Sequence, residues 1–185
     1  HVAVERVVGV CWIEPAVSWG GDDRNVFQDF KQFQPFFIRH RAVSNRRRNR
    51  DTTIIATGAK AAGTDEYLYG KHPRVTRWHE LEQHPEHLKD AHSIVFIQCV
   101  GSRSTNRGNP YCSNFCCMNS IKSAQYLMDN YPDTEVTVFY IDLRAYGKGF
   151  EELLMRTRGH GVRYVRGLPG EVREDPLTCN LLVTV

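Results

Sequence analysis

Alternating predicted strands and helices over residues 93–167 constrain the fold of this chain more than any other feature of its sequence. The apolar run SIVFIQCV, residues 93–100, is typical of a buried strand, and the polar stretch after it predicts a loop. Two helical segments follow, and each leads into another apolar run. Strand, helix, strand, helix, strand in this order predicts a parallel sheet with right-handed crossovers. We therefore expect an α/β fold with a Rossmann-like βαβ unit.

Both predicted helices of this unit carry recognisable end signals. CCMNSIKSAQYLMDNY has apolar residues at three- and four-residue steps and must end before Pro132. GFEELLMRTR has acidic residues in its first turn, and Arg156 and Arg158 in its last turn suit the helix dipole. EVTVFYIDL and VRYVRG are the strands that follow these helices. Residues 170–185 are predicted to close the domain as a β-hairpin, with EDPLTCN as its turn.

Length and composition limit the class of protein. With 185 residues, 41% of them hydrophobic and 24% charged, the chain has enough apolar residues for a buried core. A net charge of +3 is too small to indicate nucleic-acid binding. No apolar run approaches the roughly 20 residues of a membrane helix, and no secretory signal is visible. We therefore expect a cytoplasmic protein, in which thiols stay reduced.

The first half of the chain is less informative. Residues 1–50 stay unassigned, although VERVVGVCWI is compatible with a strand, and the basic run RHRAVSNRRRNR more often indicates a solvated segment than a nucleic-acid contact. TTIIATGA predicts a buried strand that ends in a turn, and VTRWHELEQ predicts a short helix. The predicted organisation is an unassigned segment (1–50), a connecting region (51–92) and the parallel-sheet domain (93–185).

Four of the six cysteines lie at the end of the first strand of the βαβ unit, in the loop after it and at the start of the following helix. A dinucleotide-binding fold places G-x-G-x-x-G at this turn, but here only Gly101 directly follows the strand and the loop is long. Four thiolates suit either a tetrahedral zinc ion or a four-iron cluster. The candidate metal ligands are Cys99, Cys112, Cys116 and Cys117.

The spacing of these cysteines leaves zinc and iron about equally favoured. Cys112 and Cys116 have the spacing of a zinc knuckle, but the adjacent Cys116 and Cys117 are awkward around one small ion. A cubane offers separated iron corners, which makes adjacent ligands easier to place. A vicinal dithiol redox site would leave Cys99 and Cys112 unexplained. The positive end of the following helix dipole stabilises thiolates in each case, and Cys11 and Cys179 are interpreted as unligated.

The segments FIQCVGSR, NPYCSNFCCMNSIKSA, FYIDLRAYGKGFEE and GVRYVRG resemble the central flavoprotein region of the heterodisulfide reductase A-subunit family. They are also similar, less closely, to the corresponding region of the related quinone-interacting oxidoreductase. The resemblance covers about residues 51–185. It implies a thioredoxin-reductase-like fold that binds FAD, with a 4Fe-4S cluster held by the four cysteines. It also implies an oxidoreductase component that relays electrons between FAD and 4Fe-4S clusters.

The same resemblance assigns residues and partners. The family's ATG segment lines the FAD site and corresponds to Ala56, Thr57 and Gly58, and a lysine near the flavin ring corresponds to Lys122. Residues 51–92 would then be part of an FAD-binding domain and its connector. The implied partners are other heterodisulfide reductase subunits, together with a hydrogenase or ferredoxin-type electron donor or acceptor.

The chain departs from the pattern of this family in two places. The family's amino-terminal G-x-G-x-x-G and its second ATG-like segment are absent, so we expect a fragment or one part of a split protein. The competing hypothesis is a non-enzymatic, zinc-stabilised binding module whose contact surface is the basic amino-terminal run. Asp142 and Arg144 lie at the end of EVTVFYIDL, the second strand of the unit, where we favour a salt bridge on the sheet rim over a ribose contact.

Overall fold

The computed structural model describes residues 2–3, 7–11, 64–88, 91–107, 109–114 and 116–185, the first two ranges as backbone only. The predicted strand TTIIATGA, and with it Ala56, Thr57 and Gly58, lies outside the described residues. The described residues form these strands and α-helices, in chain order: β1 (Val2–Ala3), β2 (Val7–Cys11), β3 (Val75–Thr76), α1 (Trp78–Gln83), β4 (Ser93–Ile97), α2 (Cys116–Asn130), β5 (Glu135–Tyr140), α3 (Phe150–Gly159), β6 (Arg163–Arg166), β7 (Glu171–Glu174) and β8 (Leu181–Thr184).

A parallel sheet of five strands in the order β3-β2-β4-β5-β6 organises these elements. Neighbouring strands pair in register, with Ser93 opposite Glu135 and Thr137 opposite Arg163. Helix α2 connects β4 to β5, and α3 connects β5 to β6. The predicted α/β fold and its strand-helix-strand-helix-strand unit are therefore confirmed.

Two strands of this sheet come from parts of the sequence that were harder to interpret. VERVVGVCWI does contain a strand, β2, and β2 pairs in parallel with both β3 and β4. Val75 and Thr76, which were predicted to begin a helix, instead form β3, and the helix α1 begins at Trp78. A two-residue edge strand such as β3 has no periodicity of its own, because pairing to a strand distant in the sequence creates it.

The closing β-hairpin is also confirmed. Strands β7 and β8 pair antiparallel, with Val172 opposite Val183, and β1 adds a third strand to this second sheet. The connection between β7 and β8 contains the predicted turn, where Asp175 Oδ1 accepts a hydrogen bond from Leu177 N at 3.0 Å. This is the local hydrogen bonding that makes aspartate a turn residue.

Strand β4 lies at the centre of the core, and every one of its residues is buried. Ile94 and Phe96 pack with Leu127 of α2, whereas Val95 and Ile97 pack with Leu181 of β8. Alternate residues of a strand point to opposite faces, so the helices cover one face of β4 and the antiparallel sheet covers the other. Burial on both faces explains why SIVFI is apolar without alternation.

Helix α3 docks on α2 through its apolar side. Leu154 of α3 packs with Met118 and Ile121 of α2. The acidic first turn and basic last turn of α3 are present as predicted. Over the residues that the structure describes, no helix has the length and apolar character needed to cross a membrane.

Replacing Leu127 by alanine tests the contact between α2 and β4. Leu127 is 1% exposed, and its truncation should lower the free energy of unfolding by about 2–5 kcal/mol because a cavity remains between helix and sheet. Met155→Ala on α3 is the control, since Met155 is 58% exposed. Chemical denaturation should show a lower free energy of unfolding for Leu127→Ala only. Equal midpoints for the two variants would contradict this packing.

Candidate functional site

The cysteine-rich loop lies at the carboxyl end of the parallel sheet. Strand β3 follows β2 in the chain and pairs on one side of it, whereas β4 pairs on the other side. The direction of strand addition therefore reverses between β2 and β4. Open α/β sheets bind their ligands outside the carboxyl ends of the strands at such a reversal. Gln98 and Cys99 follow β4 directly at this point.

The loop between β4 and α2 folds back on itself through its own hydrogen bonds. Ser104 and Asn109 exchange two backbone bonds, of 2.8 and 3.0 Å, and Arg103 N donates to Tyr111 O at 3.1 Å. Cys99 has φ 62°, in the left-handed region that non-glycine residues seldom adopt. The chain thus turns sharply at Cys99, and the paired loop leads back to Cys112.

Strand β4 ends earlier than predicted because of this turn. The prediction extended the strand to residue 100, but the last paired residue is Ile97. Gln98 N still donates to Phe139 O at 2.9 Å, and the backbone leaves the sheet at Cys99. The apolar character of Val100 comes from burial in the core and not from strand pairing.

The predicted ligand cysteines occupy three positions around this loop. Cys99 follows β4, Cys112 lies at the end of the folded loop, and Cys116 and Cys117 begin α2. Cys112 is half-buried and accepts a hydrogen bond from Asn114 N at 3.3 Å. The other three are buried, and all four are free thiols.

The three buried thiols of this loop interact electrostatically. Burial raises the pKa of Cys99 to about 11, and the neighbouring charges of Cys117 and Cys112 add to this rise. A hydrogen bond between Cys116 and Cys117 raises the pKa of Cys116 and lowers the pKa of Cys117 to about 6. Cys117 is therefore the favoured thiolate of the adjacent pair, and Cys99 is influenced by the charges of both Cys117 and Cys112.

The chemistry of this donor set fits a thiolate-bound cluster, because all four donors are soft sulfur atoms, mostly buried and not bridged to one another. Within the described residues, no group of three or more His, Cys, Asp or Glu side chains is arranged to hold a metal ion as it stands. The assignment of the four cysteines as metal ligands stays a prediction.

Asp142 forms the salt bridge that the sequence favoured at the end of β5. Its carboxylate lies 2.9 Å from Arg103 Nη2 and 3.7 Å from Arg166 Nη2. Its backbone oxygen lies 3.7 Å from Cys117 Sγ. The hydrogen bond from Arg103 is the main cause of the lowered pKa of Asp142. The rim of the sheet is thus joined to the cysteine loop through Asp142.

Arg103 was missed by sequence reasoning, although a signal for it was present. The segment between Cys99 and Cys112 contains two basic residues, Arg103 and Arg107. Their positive charge among the candidate thiolates was the signal. Arg107 turns away to pair with Asp65 at 2.9 Å. Arg103 instead remains 21% exposed beside the cysteines.

Lys122 lies on α2 and is half-buried. Burial raises the pKa of Glu82, on α1, to about 7, and the positive charge of Lys122 opposes that rise. The lysine that the family resemblance places near a flavin is thus electrostatically coupled to α1. Nothing in the sequence indicated Glu82.

Comparison with known proteins identifies relatives of this chain. No family model matches the chain. It is 43% identical over 154 residues to the A 1 iron-sulfur subunit of CoB–CoM heterodisulfide reductase from Methanopyrus kandleri, an alignment that covers 72% of this chain and 23% of that protein. It is 42% identical over 142 residues to the A subunit of H2:CoB–CoM heterodisulfide, ferredoxin reductase from Methanothermobacter thermautotrophicus, over 68% of this chain and 22% of the relative.

The chain belongs to the heterodisulfide reductase A-subunit family. A third relative, from Methanocaldococcus jannaschii, is 42% identical over 72% of this chain. The expectation drawn from the cysteine and FYIDLRAYGKGFEE segments is therefore confirmed. The chain spans about a fifth of the length of these curated relatives, between 22% and 23%.

The raised pKa of Glu82 predicts a pH-dependent stability. The folded pKa is about 7 and the ordinary value is 4.5, so the folded state binds a proton more tightly than the unfolded state. Stability should then fall as pH rises from about 4.5 to about 7, by an amount on the order of 2 kcal/mol. Glu82→Gln should remove this part of the fall and be the more stable protein at pH 8.

Denaturation midpoints measured from pH 4.5 to pH 8 would check this prediction. Glu152→Gln is the matched control, because Glu152 is an exposed residue of another helix. The control should keep the slope of the unaltered protein. If Glu82→Gln shows the same slope as the control, Glu82 does not titrate in the predicted range.

Proposed function

We propose that this chain is an electron-transfer flavo-iron-sulfur module of a heterodisulfide-reductase-type complex, and that it relays electrons between FAD and 4Fe-4S clusters. A flavin exchanges one or two electrons and an iron-sulfur cluster exchanges one, so the two together allow electron pairs to be split. The part played by this chain would be to hold a cluster at the carboxyl edge of the sheet and to contribute residues to the FAD site.

The four free thiols in and around the loop at the strand-order reversal carry this proposal. Cys99, Cys112, Cys116 and Cys117 would hold the cluster, with Cys116 and Cys117 at the positive end of α2. Burial of three of the four excludes water, which favours tight retention and limits oxidation. The words "iron-sulfur subunit" in the names of relatives support the same assignment.

The flavin assignment is also a proposal. Ala56, Thr57 and Gly58 would line the FAD site, because small residues allow the backbone to approach a cofactor closely. Lys122 would lie near the flavin ring. The position of the loop at the reversal between β2 and β4 supports a ligand there. On this proposal the sheet is a Rossmann-like part of a thioredoxin-reductase-like fold, with residues 51–92 as part of the FAD-binding domain.

Partners follow from the same proposal. The relatives are named as subunits of reductases that use ferredoxin, H2 or formate. We infer that this chain works with other heterodisulfide reductase subunits and with a hydrogenase or ferredoxin-type protein. The zinc-stabilised binding module is not favoured, because several relatives are named as iron-sulfur subunits of a reductase.

Removing Cys99 tests the cluster. Protein purified without oxygen should hold about four iron and about four sulfide per chain, and Cys99→Ala should lose iron and sulfide because one corner has no thiolate. Cys179→Ala is the control, since Cys179 is an exposed free thiol remote in sequence from the loop. Its iron and sulfide content should equal that of the unaltered protein. Zinc near one per chain without sulfide would reject the proposal.

Replacing Lys122 tests the flavin assignment. If its ammonium lies near the ring, it stabilises the anionic reduced flavin, and Lys122→Met should lower the reduction potential of bound FAD. Lys148→Met is the control, because Lys148 is exposed in the loop before α3. The measurement is a spectroscopic redox titration of FAD-loaded protein. Equal flavin potentials in the two variants would remove Lys122 from the flavin site.

A further inference from the structure

Arg103 is held beside the cysteines by a fixed partner. Its Nη2 donates to Asp142 Oδ2 at 2.9 Å, and its backbone N donates to Tyr111 O at 3.1 Å. Asp142 in turn lies against α2, because its backbone oxygen is 3.7 Å from Cys117 Sγ. The guanidinium is therefore anchored to the sheet rim through Asp142, and the backbone of Arg103 is held within the loop.

The second arm of this guanidinium is unsatisfied. Arg103 Nη1 is buried and has no hydrogen-bond partner among the described residues. A buried charged donor without an acceptor is strongly unfavourable, so an acceptor at this position would remove a substantial penalty. Asp142 already engages Nη2, and the groups whose charges act on Arg103 besides Asp142 are Cys99 and Cys112.

Arg103 therefore differs from the other arginines of this region. Arg166 pairs with the same carboxylate at 3.7 Å, but its side chain is 76% exposed. Arg107 lies on the same loop but pairs with Asp65 and is 47% exposed. A cation that is largely removed from water acts on a neighbouring charge more strongly than an exposed cation does.

We propose that Arg103 is a positioning residue that sets the reduction potential of the cluster: Asp142 holds its guanidinium so that Nη1 donates to a sulfur atom of the thiolate-bound cluster. This inference rests on the proposed function. Hydrogen bonds to sulfur and nearby positive charge stabilise the reduced cluster, which carries one more negative charge than the oxidised form. The potential is thereby raised without any contact between Arg103 and iron.

The test is a redox titration of the cluster in the full chain, purified without oxygen and followed by electron paramagnetic resonance. Arg103→Gln should lower the ratio of reduced to oxidised cluster at a given potential by about tenfold, which is about 59 mV for a one-electron couple. Arg166→Gln is the matched control, because it breaks the exposed ion pair to the same carboxylate, and its potential should equal that of the unaltered protein. If this ratio changes by no more than about twofold in Arg103→Gln, or changes equally in both variants, the proposal is overturned.

Arg103→Lys provides a second measurement. An ammonium keeps the charge but lacks the planar fork that can reach Asp142 and a sulfur atom together, so a shift of about threefold is expected. If Arg103→Gln does not retain its cluster, the cluster potential of Arg103→Lys is the test. An unchanged potential in Arg103→Lys then overturns the proposal.

Iron and sulfide content separate this inference from the proposed function. Unaltered protein with iron and sulfide but no dependence of its potential on Arg103 overturns the role of Arg103 alone. Unaltered protein without iron and sulfide overturns both.

Discussion

Burial of both faces of strand β4 is the constraint on which the rest of the structure depends. Its five residues pack between the helices and the antiparallel sheet, and Ile94, Val95 and Phe96 are 0% exposed. A strand confined in this way cannot shift its register, because a shift by one residue would exchange the side chains of its two faces. Cys99 follows this strand by two residues, so the position of the first thiol is set by the core.

Two opposing effects act on the thiols of the candidate site, which are burial and nearby positive charge. Burial raises the pKa of Cys99, while the guanidinium of Arg103 and the start of α2 favour negative sulfur. Asp142 restrains Arg103 and lies against Cys117, so a carboxylate outside the loop orders the cation inside it. This arrangement suits a group that gains and loses negative charge, as an iron-sulfur cluster does.

Elements with strong local signals were predictable. The βαβαβ unit, the end of α2 before Pro132, the charged ends of α3 and the closing hairpin all depend on short-range patterns. The place of β2 between β3 and β4 was not predictable, because its pairing partners are far away in the chain. Strand β3 was mistaken for the first turn of a helix, since two residues are too few to show a period.

The amino-acid sequence alone predicted an α/β unit and a thiol-rich loop in place of a phosphate-binding turn, because helix periodicity and cysteine spacing are local properties of the chain. The family came from the resemblance of four sequence segments to a known group of proteins. The partners of each side chain depended on folding. Arg103 and Asp142 are distant in the sequence, as are Glu82 and Lys122, and parallel strand order brings each pair together. Contacts of this kind arise from the packing of whole elements, which no short window of sequence contains.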